Sequence, residues 1–414
     1  MAARVPNDAE IDWLTRRAVA EIIPYGDFVK ELKSGKPLRL KMGFDPSAPD
    51  LTIGHAVGLR KLRQLQEFGH TVVIIVGDWT AQIGDPSGQS KTRPMLTQEQ
   101  VKANAETYLA QFFKIVDKER TEVRWQSEWF GKFSLADVVR LMAKFTVAQM
   151  LERADFAERF KAQRPLGAHE LLYPMLQGYD SVAVKADVEF GGTDQKFNLM
   201  VGRELQEGAE QPPQIVYTVP LLVGTDGVKM SKSLGNFIAV EDPPGEMYGK
   251  VMALPDHLIA EYMEYVTDIP DGEVDEVRTA VEAKTINPRD AKMRLAREIV
   301  AQFHDADAAA EAEAFFVNTF SKRELPKDVP QRELSFSALS TDASNGDGVR
   351  LPWLLTELDL APSTSEANRL IKQRAVEIDG EVVGGSRTTL RDGMVIRVGK
   401  HRFLRVVDAD NASR

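Results

Sequence analysis

Two short stretches hold residue types that could do chemistry, and both suit phosphate. The first, DPSAPDLTIGHAVGL, runs from Asp45 to Leu59 and puts His55 at the mouth of a helix, behind a stiff, proline-containing turn. A helix N-terminus offers unpaired amides and partial positive charge, a ready site for phosphate. Gly54 allows close backbone approach there, while Thr52 and Ser47 add hydroxyls. The bland account is capping, because Thr and Asp favour helix starts whatever they bind. The second stretch, KMSKS, spans Lys229 to Ser233 and sets Lys229 and Lys232 around Met230 and Ser231. By itself it is what most lysine clusters are, a solvated turn. Joined to a Gly-His helix start behind a strand, it favours phosphate chemistry over both bland accounts.

Positioning such residues needs a sheet. Leu38 to Phe44 alternates strictly, with Leu38, Leu40, Met42 and Phe44 on one face, and predicts a strand. From His55 to Phe68, Ala56, Leu59, Leu62 and Leu65 recur at helical spacing, and Gly69 stands at the helix stop. TVVIIV, Thr71 to Val76, reads as a buried strand. Strand, turn, helix and strand in so short a span make a βαβ unit, hence a parallel sheet with a right-handed crossover. Residues from about 96 to 170 are expected to be a mostly helical insertion, and Val216 to Val223 a further core strand.

From about 245 to 320 the pattern turns helical. Asn287 and Pro288 supply an N-cap and a first-turn proline, and Leu295, Ala296, Ile299, Val300 and Phe303 follow as one apolar stripe. LSTDASNGDG, Leu339 to Gly348, is polar and turn-rich, a linker composition. After it comes a compact module of two helices and short strands, with Gly380, Gly384, Gly385 and Gly393 as turns.

The totals bound the function class. At 414 residues two or three domains are expected, and 43% apolar with 28% charged residues is a globular composition. TVVIIV could cross a sheet but not a bilayer, and MAARVPNDAEIDW lacks the apolar core of a signal peptide, so no membrane and a cytoplasmic location are expected. With no cysteine, thiolate catalysis and Cys-ligated zinc are excluded; the six histidines are not at ligand spacing, so no protein-bound metal is expected. A net charge of −10 argues against a generally basic nucleic-acid coat. From Arg350 onward, however, 11 basic residues face 9 acidic ones, a balance compatible with a local RNA contact.

TIGH (Thr52 to His55) and KMSKS together resemble the two signatures of the class I aminoacyl-tRNA synthetases. GFDPSAPDLTIGH (Gly43 to His55), IGDPSG (Ile83 to Gly88), YPMLQGYDS (Tyr173 to Ser181) and FGGTDQKFN (Phe190 to Asn198) resemble the bacterial tyrosyl branch in particular. SEANRLIKQRAVEIDG (Ser365 to Gly380) resembles the S4-like RNA-binding domain that ends this branch. The resemblance implies an α/β protein: a Rossmann-like parallel-sheet catalytic domain over 1–240 and a helical anticodon-binding-type domain over 241–330. A linker over 331–349 and a small α+β S4-like domain over 350–414 would follow. It also implies a homodimer.

The implied reaction has two steps: tyrosine is activated with ATP, which brings Mg²⁺ with it, and is then transferred to the 3′ end of tRNA(Tyr). Thr52, His55, Lys229 and Lys232 would be the catalytic residues, and Asp45, Ser47, Gly54, Gly192, Asp194, Met230 and Ser231 would bind ATP. Gly43, Asp85, Tyr173, Gln177, Asp180 and Gln195 would hold tyrosine, with Asp180 accepting from the phenol. Arg369, Lys372, Arg374, Arg402 and Arg405 would face tRNA. The chain departs from the branch at Thr52, where the first signature begins with histidine. It departs again at Gln89, where some relatives carry lysine, and at Lys41, where many carry a tyrosine. Strand alternation sets Lys41 opposite Met42, with its amine expected outside the pocket. The alternatives are a tryptophanyl-type synthetase, a nucleotidyltransferase that does not act on tRNA, and a catalytically silent RNA-binding regulator.

Overall fold

Six strands make one sheet in the first part of the chain: β1 (Glu21–Ile23), β2 (Arg39–Phe44), β3 (Thr71–Val76), β4 (Thr121–Trp125), β5 (Val188–Gly192) and β6 (Ile215–Val219). The computed structural model describes residues 3–46, 50–86, 97–228, 230, 235–321, 329–336, 348–399 and 402–410. Ser47, Gln89, Lys229, Ser231 and Lys232 therefore lie outside the described residues. Across the sheet the order is β1-β6-β5-β2-β3-β4, parallel throughout except for β1, which runs antiparallel to β6.

The expected βαβ unit is present as β2, the helix Ile53–Glu67 and β3, with the chain leaving the helix through Gly69 at φ 97°. Helices cover both faces of a parallel sheet, so both faces of its strands are buried. This is why Lys41 is buried along with Leu40 and Met42. The strand foreseen at Val216–Val223 is β6 and stops at Val219. The insertion is not all helix: Thr121–Trp125 pairs with β3 from Val72 to Val76 and forms the sheet edge. Its five residues are all half-buried and two of them, Glu122 and Arg124, are charged, so no buried face marks it in the sequence.

The site is placed by the order of the strands. From β2 the chain steps outward through β3 to β4, then returns to lay β5 on the opposite side of β2. Such a reversal leaves a crevice beyond the carboxyl ends of the two strands that flank it. Here β2 and β5 pair only at Leu40 with Val188 and Lys41 with Glu189, and then part.

After the sheet, Asn287 caps the helix Pro288–Phe303 by accepting from Arg289 N, and Leu295, Ala296, Ile299, Val300 and Phe303 are all buried, as the stripe requires. Residues 1–314 form one compact unit and 315–414 a second. The division expected at residue 240 is thus internal to the first unit. Arg17 helps to close it: its guanidinium donates to the carbonyls of Met263, Glu264, Thr267 and Ile269 and pairs with Asp271.

The second unit contains β7 (Gln331–Leu334), β8 (Val349–Arg350), β9 (Val376–Ile378), β10 (Glu381–Val382), β11 (Arg387–Thr388), β12 (Val395–Val398) and β13 (Arg402–Asp408). β10-β9-β12-β13-β7 form one sheet and β11-β8 a ribbon. The helices Leu351–Glu357 and Thr364–Lys372 pack Leu354, Leu355, Leu370 and Ile371 against Val376, Ile396 and Val406. One expectation is corrected here. Residues 331–334, placed in the linker by the domain bounds the resemblance implied, are a strand parallel to β13 from Arg405 to Asp408.

Candidate active site

Thr52 occupies the N-cap of the helix Ile53–Glu67 in extended conformation, φ −99° and ψ 159°. Its backbone N–H donates to His55 Nδ1 at 3.2 Å, and its hydroxyl lies 2.9 Å from the same nitrogen. A ring nitrogen that accepts carries no proton, so the neutral imidazole holds its proton on Nε2 as a donor. One nitrogen thus closes the helix start and the other is left as a proton-bearing donor.

Described residues on either side of the second signature pair with the first. Ile53 N donates to Ile238 O at 2.9 Å, Val240 N donates to Leu51 O at 2.8 Å, and Thr52 bridges Ala239. On the other flank, Met230 N donates to Leu222 O at 3.2 Å. A Cβ built on Gly54 would lie 3.5 Å from Met230 Sδ, so Met230 and the helix start are neighbours. Both flanks of KMSKS are therefore tied beside Thr52 and Gly54.

At the mouth of the crevice, Asp45 follows β2. Its carboxylate accepts from Thr80 Oγ1 at 2.6 Å and from the Tyr173 phenol at 2.8 Å. Burial, with the carboxylates of Asp45 and Asp85, keeps the Tyr173 phenol protonated far above its ordinary range, so it acts as a donor. Gly77 makes room for this contact, since a Cβ there would stand 2.2 Å from Asp45 Oδ1. Asp85 accepts from Gln195 Nε2 at 2.9 Å and lies 3.8 Å from Arg153 Nη2. Asn198 Nδ2 donates to Gln177 Oε1 at 2.9 Å and to Gln195 Oε1 at 3.0 Å. Asp85, Gln177 and Gln195, far apart in sequence, thus join in one hydrogen-bonded network through Asn198, and the Asp85 carboxylate acts on the Tyr173 phenol that Asp45 holds. Gly43 meets nothing within 4 Å of an added Cβ and so opens onto free space.

Asp180 is buried on the helix Tyr173–Val184. Its two oxygens accept from Gln126 Nε2 at 2.8 Å and Trp129 Nε1 at 3.1 Å. Burial pushes its carboxyl up to about 7, against the opposing pull of Lys41 and of the Gln126 donor. Lys41 is turned away from Met42 as alternation requires, but its ammonium does not reach solvent. It is fully buried and donates to Gln177 O and Ser181 Oγ, each at 2.8 Å, while pairing with Glu189 Oε1 at 2.8 Å.

On the β5 side, an added Cβ on Gly192 would fall 2.6 Å from Asp194 Oδ1 and 2.7 Å from Leu221 Cδ2. Only glycine lets the strand end turn this closely into Asp194. Thr80, Gln126, Trp129, Asn198, Arg153 and Glu189 were not foreseen. No spacing marks them, because each enters through tertiary contact alone.

In the second unit Arg369, Lys372, Arg374 and Arg402 are exposed, while Leu370 and Ile371 turn inward as expected. Arg369 is bound to Glu366 one turn back, and Arg402 Nη1 donates to Leu360 O at 2.6 Å. Arg405 is half-buried on β13 and differs from the other four in this respect.

The chain matches known proteins over nearly its whole length. A family model described as tRNA synthetases class I (W and Y) matches residues 33–321, and one for the S4 domain matches 349–396. The chain belongs to this class I tRNA synthetase family, and its curated relatives within it are tyrosine–tRNA ligases. That of Dehalococcoides mccartyi (strain CBDB1) is 56% identical over 402 residues, 97% of this chain and 99% of the relative. That of Thermotoga maritima is 51% identical over 396 residues, 95% of this chain and 96% of the relative. Among solved structures, the fold is similar to tyrosyl-tRNA synthetase complexed with L-tyrosine from Archaeoglobus fulgidus. The TM-score is 0.61 at 21% identity, covering 74% of this chain and 99% of that one. No helix among the described residues is long and apolar enough to cross a membrane.

Proposed function

We propose that the protein is a tyrosine–tRNA ligase: it activates L-tyrosine with ATP, releasing pyrophosphate, and transfers the tyrosyl group to the 3′ end of tRNA(Tyr). The observation that carries this reading is the meeting, at one switch-point crevice, of a phosphate-type helix start and a buried carboxylate. In the first step the tyrosine carboxylate attacks the α-phosphate of ATP, which brings Mg²⁺ as part of the substrate. In the second a ribose hydroxyl of the terminal adenosine attacks the mixed anhydride. Neither step needs a nucleophile from the protein, so positioning and charge stabilisation suffice.

Our assignment of roles rests on residue chemistry together with the family resemblance. His55 Nε2–H and Thr52 donate to the phosphates at the helix start beside Asp45, Gly54 and Met230. Ser47, Ser231, Lys229 and Lys232 add hydroxyls and cations from outside the described residues. Asp194, close against Gly192, accepts from ribose hydroxyls. Asp85, Tyr173, Gln177 and Gln195 hold the amino-acid end over the open face of Gly43. Asp180 accepts from the phenol, and the tyrosine–tRNA ligases among the relatives favour tyrosine over tryptophan as the amino acid.

The test is amino-acid-dependent ATP–pyrophosphate exchange with all twenty amino acids, followed by tRNA charging. Tyrosine alone should support exchange; activity with tryptophan, or with none, would reject the reading. We assign Arg369, Lys372, Arg374, Arg402 and Arg405 to tRNA contact. Removing residues 329–414 should then spare exchange while abolishing most charging and flattening its salt dependence, by somewhat under one unit of slope per lost phosphate contact. A cut at residue 350, suggested by composition, would strip β13 from β7. Full charging by the shortened chain would show that the tail serves another purpose.

We also propose that the enzyme is a cytoplasmic homodimer. Leu135, Val139 and Met142, exposed on one face of the helix Leu135–Met142, with exposed Val147 and Phe160 nearby in sequence, support a second copy as the partner there. Light scattering at micromolar concentration should show a dimer, and a 46.1 kDa species alone would reject it.

A further inference from the structure

β2 and β5 stay paired as far as Lys41 and Glu189 and then separate to form the crevice, so this residue pair is the last rung beneath the amino-acid site. Both side chains are wholly buried and in contact at 2.8 Å. The Lys41 ammonium spends its other donors on Gln177 O and Ser181 Oγ, one helical turn apart on the helix that carries Asp180. Glu189 Oε2 in turn accepts from Ser181 Oγ at 3.0 Å and from Gln214 Nε2. Three buried ionisable groups therefore share this floor: two carboxylates and a single ammonium. One cation cannot fully compensate two carboxylates away from water, so the charge state of one carboxylate depends on how the ammonium is shared.

The charged groups acting on Asp180 are Lys41 from β2, which favours its ionised form, and Glu189 from β5, which opposes it. The segment that directly follows β4 contributes neutral donors, Gln126 and Trp129. The helix Lys196–Glu207 contributes neutral Asn198, which is committed to Gln177 and Gln195.

We propose that Lys41 is a specificity-determining positioning residue, which anchors the helix bearing Gln177 and Asp180 and, shared with Glu189, holds Asp180 as the carboxylate that accepts the substrate phenol. The inference rests on the assignment of tyrosine to this crevice. It gives the two members of one ion pair opposite effects on substrate recognition. Removing the ammonium leaves the Glu189 charge acting on Asp180 uncompensated and drives Asp180 towards its protonated form. Removing Glu189 leaves the ammonium to Asp180 alone. A pair that served only to hold the fold would not produce effects of opposite sign.

The experiment is the pH dependence of KM for tyrosine in ATP–pyrophosphate exchange, using the full chain and the variants Lys41→Met, Glu189→Gln and the double variant. In the unaltered enzyme KM should rise as pH falls through about 7, where Asp180 takes up a proton. Lys41→Met should move that midpoint up by about one unit or more, and Glu189→Gln should move it down. The double variant should fall between the two, with kcat at saturating tyrosine little changed in every case. Shifts in the same direction, or a midpoint that does not move, would overturn the proposal. Should Lys41→Met fail to fold, Glu189→Gln and the charge-neutral double variant decide it by the same criterion. An unaltered chain without any tyrosine-dependent exchange would remove the functional reading itself, and this inference with it.

Discussion

Asp180→Ala should lower kcat/KM for tyrosine activation by about 10²-fold or more while changing the slow reaction with phenylalanine little. The reason lies in the burial of the carboxylate. In the enzyme it is already desolvated and fixed by Gln126 and Trp129, so a phenol hydroxyl completes its hydrogen bonding and a bare phenyl ring leaves it unsatisfied. Tyrosyl synthetases are the known example of this effect, and as a class they reject phenylalanine by about 10⁵-fold. Parallel exchange assays with the two amino acids measure the change. An Asp180→Ala enzyme that kept its preference for tyrosine would place the phenol elsewhere.

A loss of similar size is expected at the phosphate end. His55→Ala should slow tyrosyl-adenylate formation by about 10²-fold or more, roughly 2.7 kcal/mol of transition-state stabilisation, with tyrosine affinity nearly unchanged. His55 also accepts from Thr52 N, so the same substitution should weaken the helix start by about 1 kcal/mol. His55→Asn separates the two roles. Its amide oxygen can take the place of Nδ1 at the cap but offers nothing where Nε2 stood, so stability should return while the rate does not. Lys232→Ala should reproduce the rate loss without the capping effect. Pre-steady-state adenylate formation alongside thermal unfolding distinguishes these outcomes. A rate recovered by His55→Asn would make His55 a capping residue only.

Much of the scaffold was legible because periodicity is local. The βαβ unit, the Asn287 cap and the buried stripe from Leu295 to Phe303 follow from spacings that fold on themselves whatever surrounds them. β4 was not legible, because TEVRW has no buried face; it is a strand only because the exposed edge of β3 is there to pair with it. β7 was read as linker for the same reason, since QREL owes its conformation to β13.

Candidate residues could be read from the sequence, and their protonation and charge states could not. Type and spacing pointed to His55 and the two lysines of KMSKS, and the resemblance added Tyr173 and Asp180. Which nitrogen of His55 bears the proton depends on Thr52 N–H. Whether Asp180 is charged depends on its burial, on Lys41 and on donors from a segment more than fifty positions earlier. The amine of Lys41 does not reach water but is buried against Glu189, Gln177 and Ser181, because helices close both faces of a parallel sheet. Side-chain type and local period are written along the chain, whereas desolvation and charge sharing arise only when distant segments exclude water together. Tertiary structure alone could decide them.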